Sequence, residues 1–208
     1  MSINIDAELS ATGDLSGRLR AITKGYPAQK IRNELNNGQA ETDVAASNLM
    51  KIYGSEAIER ADISSAGPDG HDVAVDLNFS INEYAPSFSN GLEFRPMIVG
   101  YLFQNPFEST QRRVPITLDA PENLVINYSV TLPNGFTVDE NSGRRSIELS
   151  GALLSEQYET NGNRIDYSFR IDISRKEFSA DQYPELRRIY ERWVELSNSN
   201  WLIEKQNS

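Results

Sequence analysis

Three stretches of this chain alternate apolar and polar residues with a period of two, and that pattern constrains the fold before anything else does. Val73, Val75, Leu77, Phe79 and Ile81 alternate with Asp72, Ala74, Asp76, Asn78, Ser80 and Asn82. Leu124, Ile126, Tyr128, Val130 and Leu132 repeat the pattern, as do Ile165, Tyr167, Phe169, Ile171 and Ile173. Successive side chains of a strand point to opposite faces, so each run has one face to bury and one to leave in water. Strands covered on one side only belong to antiparallel sheets. The sequence therefore predicts an α+β fold of mainly antiparallel sheets in two subdomains, residues 1–100 and 101–208.

The helices come from the other period. Residues 3–24 read as a hairpin turning at Thr12-Gly13-Asp14, with Leu15, Leu19 and Ile22 available for one buried side. Gly25 and Pro27 open a first helix, with Ala28, Ile31 and Leu35 at helical spacing and Asn37-Gly38 as its stop. A second helix is predicted over residues 42–53, with Ala45, Leu49 and Ile52 on one side and Gly54 as its close. A short strand is predicted over residues 58–64, before the turn Gly67-Pro68-Asp69-Gly70. Residues 85–111, with three prolines, read as the irregular connection between the subdomains. Ile147 and Leu149 belong to a further strand, and Asn161-Gly162 signals a hairpin. An amphipathic C-terminal helix follows the capping-box spacing of Ser179 and Gln182, with Leu186, Ile189, Trp193 and Leu196 as its stripe. Trp201-Leu202-Ile203 returns as a terminal strand.

Composition narrows the chemistry. The chain has no cysteine and a single histidine, which removes thiolate nucleophiles and cysteine-based metal sites. Thirty acids against 20 bases give a net charge of −10, which disfavours nucleic acid and anionic membranes as partners. No window approaches 18 consecutive apolar residues, so no membrane insertion is expected. The opening Met1-Ser2-Ile3-Asn4-Ile5 reads as a strand, which suggests a piece of a longer protein.

The candidate chemical groups are few. His71 sits beside a glycine-containing turn without a nucleophile next to it, and reads as an exposed turn residue. Asp69, Asp72 and Asp76 lack the spacing of a calcium loop. Asp139 and Glu140 are adjacent, and neighbours in a strand point apart, so they are poorly placed as a hydrolytic pair. Arg112-Arg113, Arg144-Arg145 and Arg187-Arg188 read as salt-bridging surface pairs. Two N-glycosylation patterns, at Asn78 and Asn127, fall inside predicted strands. The aromatics Tyr84, Phe88, Phe94, Tyr101, Phe103 and Phe107 form the one candidate interaction surface. They either line a glycan or peptide groove or glue the two subdomains together, and the second reading is favoured. No catalytic residue, cofactor or metal is expected.

One family is suggested by residues in a fixed order. Asn105-Pro106-Phe107 is followed by Arg112-Arg113-Val114-Pro115-Ile116, by Leu132-Pro133-Asn134-Gly135-Phe136-Thr137-Val138, and by Tyr183-Pro184-Glu185-Leu186-Arg187. This order resembles the C-terminal domain of unknown function that follows a transglutaminase-like core in multidomain, exported bacterial proteins. The hairpin and Gly25-Tyr26-Pro27-Ala28 with Arg32 resemble the segment just after that core. The core's Cys, His and Asp find no counterparts here. The resemblance thus implies a non-catalytic accessory domain, exported to the periplasm or cell surface. Its partners would be the other domains of the same polypeptide. The alternative is an independent glycan- or peptide-binding module.

Overall fold

A computed structural model describes residues 1–138 and 142–206. The described residues form fourteen strands and three α-helices. Eight strands make the main sheet. The N-terminal half supplies β1 (Ser2–Leu9), β2 (Leu15–Thr23), β3 (Ile58–Ala66) and β4 (Asp72–Ile81). The C-terminal half supplies β8 (Glu122–Thr131), β10 (Ser142–Leu149), β11 (Ala152–Asn161) and β12 (Arg164–Ile173). The strand order is β10-β11-β12-β8-β1-β2-β4-β3. Every neighbouring pair is antiparallel except β1 with β8, which runs parallel from Ser2 opposite Val125 to Glu8 opposite Thr131. Strands on either side of the expected division near residue 100 therefore pair directly with one another.

A four-stranded sheet, ordered β5-β6-β14-β9, joins β5 (Ser87–Phe88), β6 (Gly91–Phe94), β9 (Phe136–Val138) and β14 (Trp201–Lys205). A short pair links β7 (Ile116–Thr117) with β13 (Glu177–Phe178). The helices are α1 (Gly25–Asn36), α2 (Glu41–Leu49) and α3 (Tyr183–Ser197). The fold class expected from the alternating runs is the one observed.

Each alternating run buries the predicted set. Ile3, Ile5, Ala7 and Leu9 of β1 are buried, as are the odd-numbered residues of β4, while Leu124 to Val130 and Ile165 to Ile173 bury alternate residues of β8 and β12. The inner face of the sheet is covered by the three helices and by the segment 84–116. Two glycines set the distance of that cover. Gly13, at φ +90, turns the first hairpin against Ala85, where a Cβ would strike the Ala85 carbonyl. Gly100, at φ +78, lies so close to the sheet that a Cβ would come within 2.5 Å of Ile126 Cδ1. Both also hold a left-handed conformation that glycine adopts without steric cost.

Three local readings need correction. Ile22 was expected beside Leu15 and Leu19, but strand parity puts Leu15, Leu19, Ala21 and Thr23 inward and turns Ile22 to the opposite face. The second helix stops at Leu49 rather than Tyr53, and Ile52 is exposed. The chain there is drawn into a turn in which the N–H groups of Tyr53 and Gly54 both bond the Met50 carbonyl. The Tyr53 hydroxyl meets that of Tyr101 at 2.7 Å. Strand β11 is implied in the sequence only by the hairpin turn at Asn161-Gly162, because its inward row Ala152, Leu154, Glu156, Tyr158 carries a carboxylate where an apolar residue would reveal its extent. The start of α3 follows expectation: Ser179 and Gln182 close a capping box one turn ahead of Pro184.

Candidate functional site

The six aromatics do not assemble into one surface. Tyr84, Phe94 and Phe107 are buried, Tyr101 is half-buried, and only Phe88 and Phe103 are exposed. Tyr84 packs between Tyr53 and Phe94, and Phe94 continues to Trp201. Phe107 stands edge-on to both Tyr183 and Tyr190 of α3. Three of these rings point into the core, in contact with one another or with α3, so the set does not present one continuous face.

The same segment is bolted to α3 by hydrogen bonds. Trp193 Nε1–H donates to the Gly100 carbonyl at 2.8 Å, and the Leu102 N–H donates to Ser197 Oγ at 2.9 Å. Asn105 Nδ2 donates to the Arg187 carbonyl and Arg187 Nε to the Phe107 carbonyl, both at 3.1 Å. The Tyr183 hydroxyl donates to the Ser109 carbonyl. Buried polar groups need such partners, and each here comes from the facing element.

The buried ionisable groups serve the same end. Glu156, 5% exposed, is met by Arg192 Nη2 at 2.8 Å, which fixes α3 to β11. Tyr190 donates to Glu122 at 3.1 Å, fixing α3 to the start of β8. Burial raises the Glu122 carboxyl above its ordinary value, and the Tyr190 bond only partly offsets it. Burial likewise pushes the hydroxyls of Tyr53, Tyr84, Tyr128 and Tyr167 well upward. These tyrosines stay protonated at neutral pH.

The remaining candidates are on the surface. His71 is exposed at the start of the turn into β4. Asp72 pairs with Lys24 at 3.0 Å and Asp76 with Arg20 at 3.3 Å. Among the described residues, no group of three or more His, Cys, Asp or Glu side chains could hold a metal ion. Asp139 and Glu140 lie outside the described residues. Arg187 pairs with Glu191 and Arg188 with Glu185, whereas Arg112 stacks over the Tyr183 ring at 5.5 Å.

What the sequence reading did not single out is the open face of the sheet. A groove of about 660 Å³ runs over β1, β2, β4 and β3. Strand register builds it in two rows. Arg60, Asn78, Arg18 and Asp6 stand opposite one another in the first, and Asp62, Asp76, Arg20 and Asn4 in the second. Three guanidiniums and three carboxylates thus share one surface, yet Arg20–Asp76 is the one ion pair formed there among the described residues. Towards β8 and β12 the same face continues as a neutral row, in which Ser168 donates to Asn127 at 2.9 Å and Asn127 to Asn4 at 3.4 Å. A second groove, of about 1080 Å³, opens at the strand ends between Lys24, Pro68, Leu118 and Tyr190, with Glu122 in its wall.

A family model described as Domain of Unknown Function with solved-structure structure (DUF3858) matches residues 90–203. The chain belongs to this family. The DUF3858 match runs from the turn before β6 to Ile203 of β14, so it takes in the C-terminal half of the main sheet and α3. Every charged residue of the polar groove precedes it. Among solved structures, a protein from Parabacteroides distasonis ATCC 8503 described as a "putative protease" is similar with a TM-score of 0.42 and 18% identity. That likeness covers 46% of this chain and 19% of the other, so this chain spans under a fifth of that protein's length. No curated protein matches the chain.

Proposed function

We propose that this chain is a non-catalytic accessory module of a longer, exported polypeptide with a transglutaminase-like or cysteine-protease-like core, and that it packs on that core or holds substrate for it. The observation that carries the reading is the groove on the open face of the sheet. Arg18 and Arg60 flank Asn78 without an ion pair among the described residues, although Asp6 stands directly opposite Arg18. Such charges can be engaged by a partner without first breaking an internal pair, and a mixed pattern fixes the register of docking. The buried ionisable groups support the non-catalytic part, because Glu156, Glu122 and Tyr53 each hold one segment to another. The order of motifs shared with domains that follow transglutaminase-like cores supports both the parent and its export.

The test is an amide chemical-shift titration of the labelled chain with the catalytic portion of its parent polypeptide. Shifts are expected on the outward residues of β1, β2, β3 and β4, and should vanish in the Arg18→Glu/Arg60→Glu variant. Shifts confined to the opposite side of the sheet would overturn the reading, as would amidase or peptidase turnover by the isolated chain above a buffer control. A peptide- or glycan-binding role is favoured by one feature, the exposed Phe103 ring stacked on Tyr101 at 5.3 Å and 5°. Phe103→Ala would abolish that binding and leave docking on the groove intact.

A further inference from the structure

Among the described residues, the two outer strands of the main sheet, β3 and β10, each leave one row of backbone N–H and C=O groups without a strand partner. The edges are not alike. In β3, Ile58 pairs with Phe79 and Arg60 with Asn78, so Glu59 is an extra, bulged residue. A bulge bends an edge away from further pairing. In β10 the register with β11 is unbroken over all eight residues, from Ser142 opposite Glu159 to Leu149 opposite Ala152. Arg144, Ser146 and Glu148 stand on the open face of β10, and Arg145 and Ile147 on the side of α3. Among the described residues, neither Arg144 nor Glu148 has an ion-pair partner within the chain.

We infer that β10 is an interface for a second copy of this chain, pairing antiparallel with itself about a two-fold axis at Ser146. The register follows from charge and parity. In a continuous sheet, residues facing each other across the seam lie on the same face, so allowed registers differ by two residues. An axis at Ser146 sets Arg144 opposite the partner's Glu148 and Glu148 opposite the partner's Arg144. Moving the axis to Arg145 places that guanidinium against its own copy. Moving it to Ile147 leaves Arg144 facing a serine. The Ser146 register alone of these three yields two reciprocal ion pairs, the self-complementarity that a two-fold interface requires. Edge β3 offers a comparable pair, Arg60 with Asp62 about Ala61, but the Glu59 bulge falls inside the overlap.

A single added strand pair buries less than the roughly 1,600 Å² of a standard interface, so the dimer is a weak one that forms with rising concentration. The pairing leaves the groove over β1 to β4 open on both copies, and it does not depend on the accessory reading.

Sedimentation equilibrium of the 208-residue chain, from about 10 μM to about 1 mM, tests it. Reversible dimerisation is expected. Arg144→Glu and Glu148→Arg should each raise the dissociation constant at least about tenfold, because two attractive cross-strand pairs become repulsive. The double variant Arg144→Glu/Glu148→Arg should restore the dimer. An equimolar mixture of the two single variants should form a heterodimer, since each strand then meets the opposite charge. Circular dichroism separates misfolding from lost pairing. A chain monomeric throughout this range, or a dimer indifferent to all four arrangements, overturns the proposal.

Discussion

The two halves of the sheet are covered in different ways. Over β2, β4 and β3 lie two short helices that present small or medium side chains, Ala28, Ile31, Val44, Ala45, Ala46 and Leu49. Their side-chain hydrogen bonds run between the helices themselves: Lys30 donates to Asn48 at 2.9 Å, and Asn48 to Glu34 at 2.6 Å. Over β11 and β10 lies one longer helix with Tyr183, Leu186, Ile189, Tyr190, Trp193 and Leu196 buried. It is tied to the segment 100–109, to β8 and to β11 by side-chain hydrogen bonds. Among the described residues, the N-terminal cover is held to the sheet by apolar contact and the exposed Lys24–Asp72 pair at the start of α1, the C-terminal cover by apolar contact plus directional bonds along the whole helix. Opening the second requires leaving buried donors unpaired, which costs more than separating methyl groups.

Four experiments probe that contrast, in order of effect. Trp193→Ala removes the largest apolar contact of α3 and leaves the Gly100 carbonyl without its donor. A loss of about 3 to 5 kcal/mol in denaturant unfolding is expected. Arg192→Ala strands the buried Glu156, for a loss of about 3 kcal/mol. Replacing both partners, Glu156→Leu with Arg192→Met, should recover most of it, because a well-packed apolar pair avoids the desolvation penalty. An Arg192→Ala variant as stable as the parent chain would mean the pair is not what anchors α3. Leu49→Ala in α2 should cost about 2 kcal/mol, the low end for a core leucine at the rim of its cover. In hydrogen exchange, the amides of α1 and α2 should open well before those of α3, and equal protection would erase the comparison.

The smallest effect concerns Glu122. Its folded carboxyl is raised by burial, so the folded state favours the protonated form. The ionised group therefore opposes folding above the raised folded value, and that penalty is absent below the ordinary carboxyl range, near pH 4. Glu122→Gln should melt higher than the parent chain at neutral pH, with the gap closing as the pH falls towards 4. A gap constant across that window would show that burial does not perturb this group.

The candidate site was less legible than the fold. Arg18, Arg20, Arg60 and Asp76 are in sequence only the wet positions of alternating strands. Arg60 comes level with Arg18 because β4 lies between their strands, a placement no local pattern encodes. Glu156 misled in the opposite direction, since a carboxylate at an inward position hides the alternation of β11. Its reason for being there is Arg192, 36 residues further along the chain. The aromatics between 84 and 107 were legible as glue, yet what they join is the segment to α3 and to the small sheet.

By itself the sequence determined which side of the three strictly alternating strands is buried, where the helices start, and that the fold is α+β. These follow from periods of 2 and 3.6 residues and from caps, all properties of neighbouring residues. Tertiary structure alone decided that β1 runs parallel to β8, 122 residues apart at the paired Asn123 and Met1 end, and so joins the two halves into one sheet. A strand's period fixes its faces but not its neighbour. The neighbour is chosen by which apolar faces can share one cover, and that is settled only when the whole chain packs.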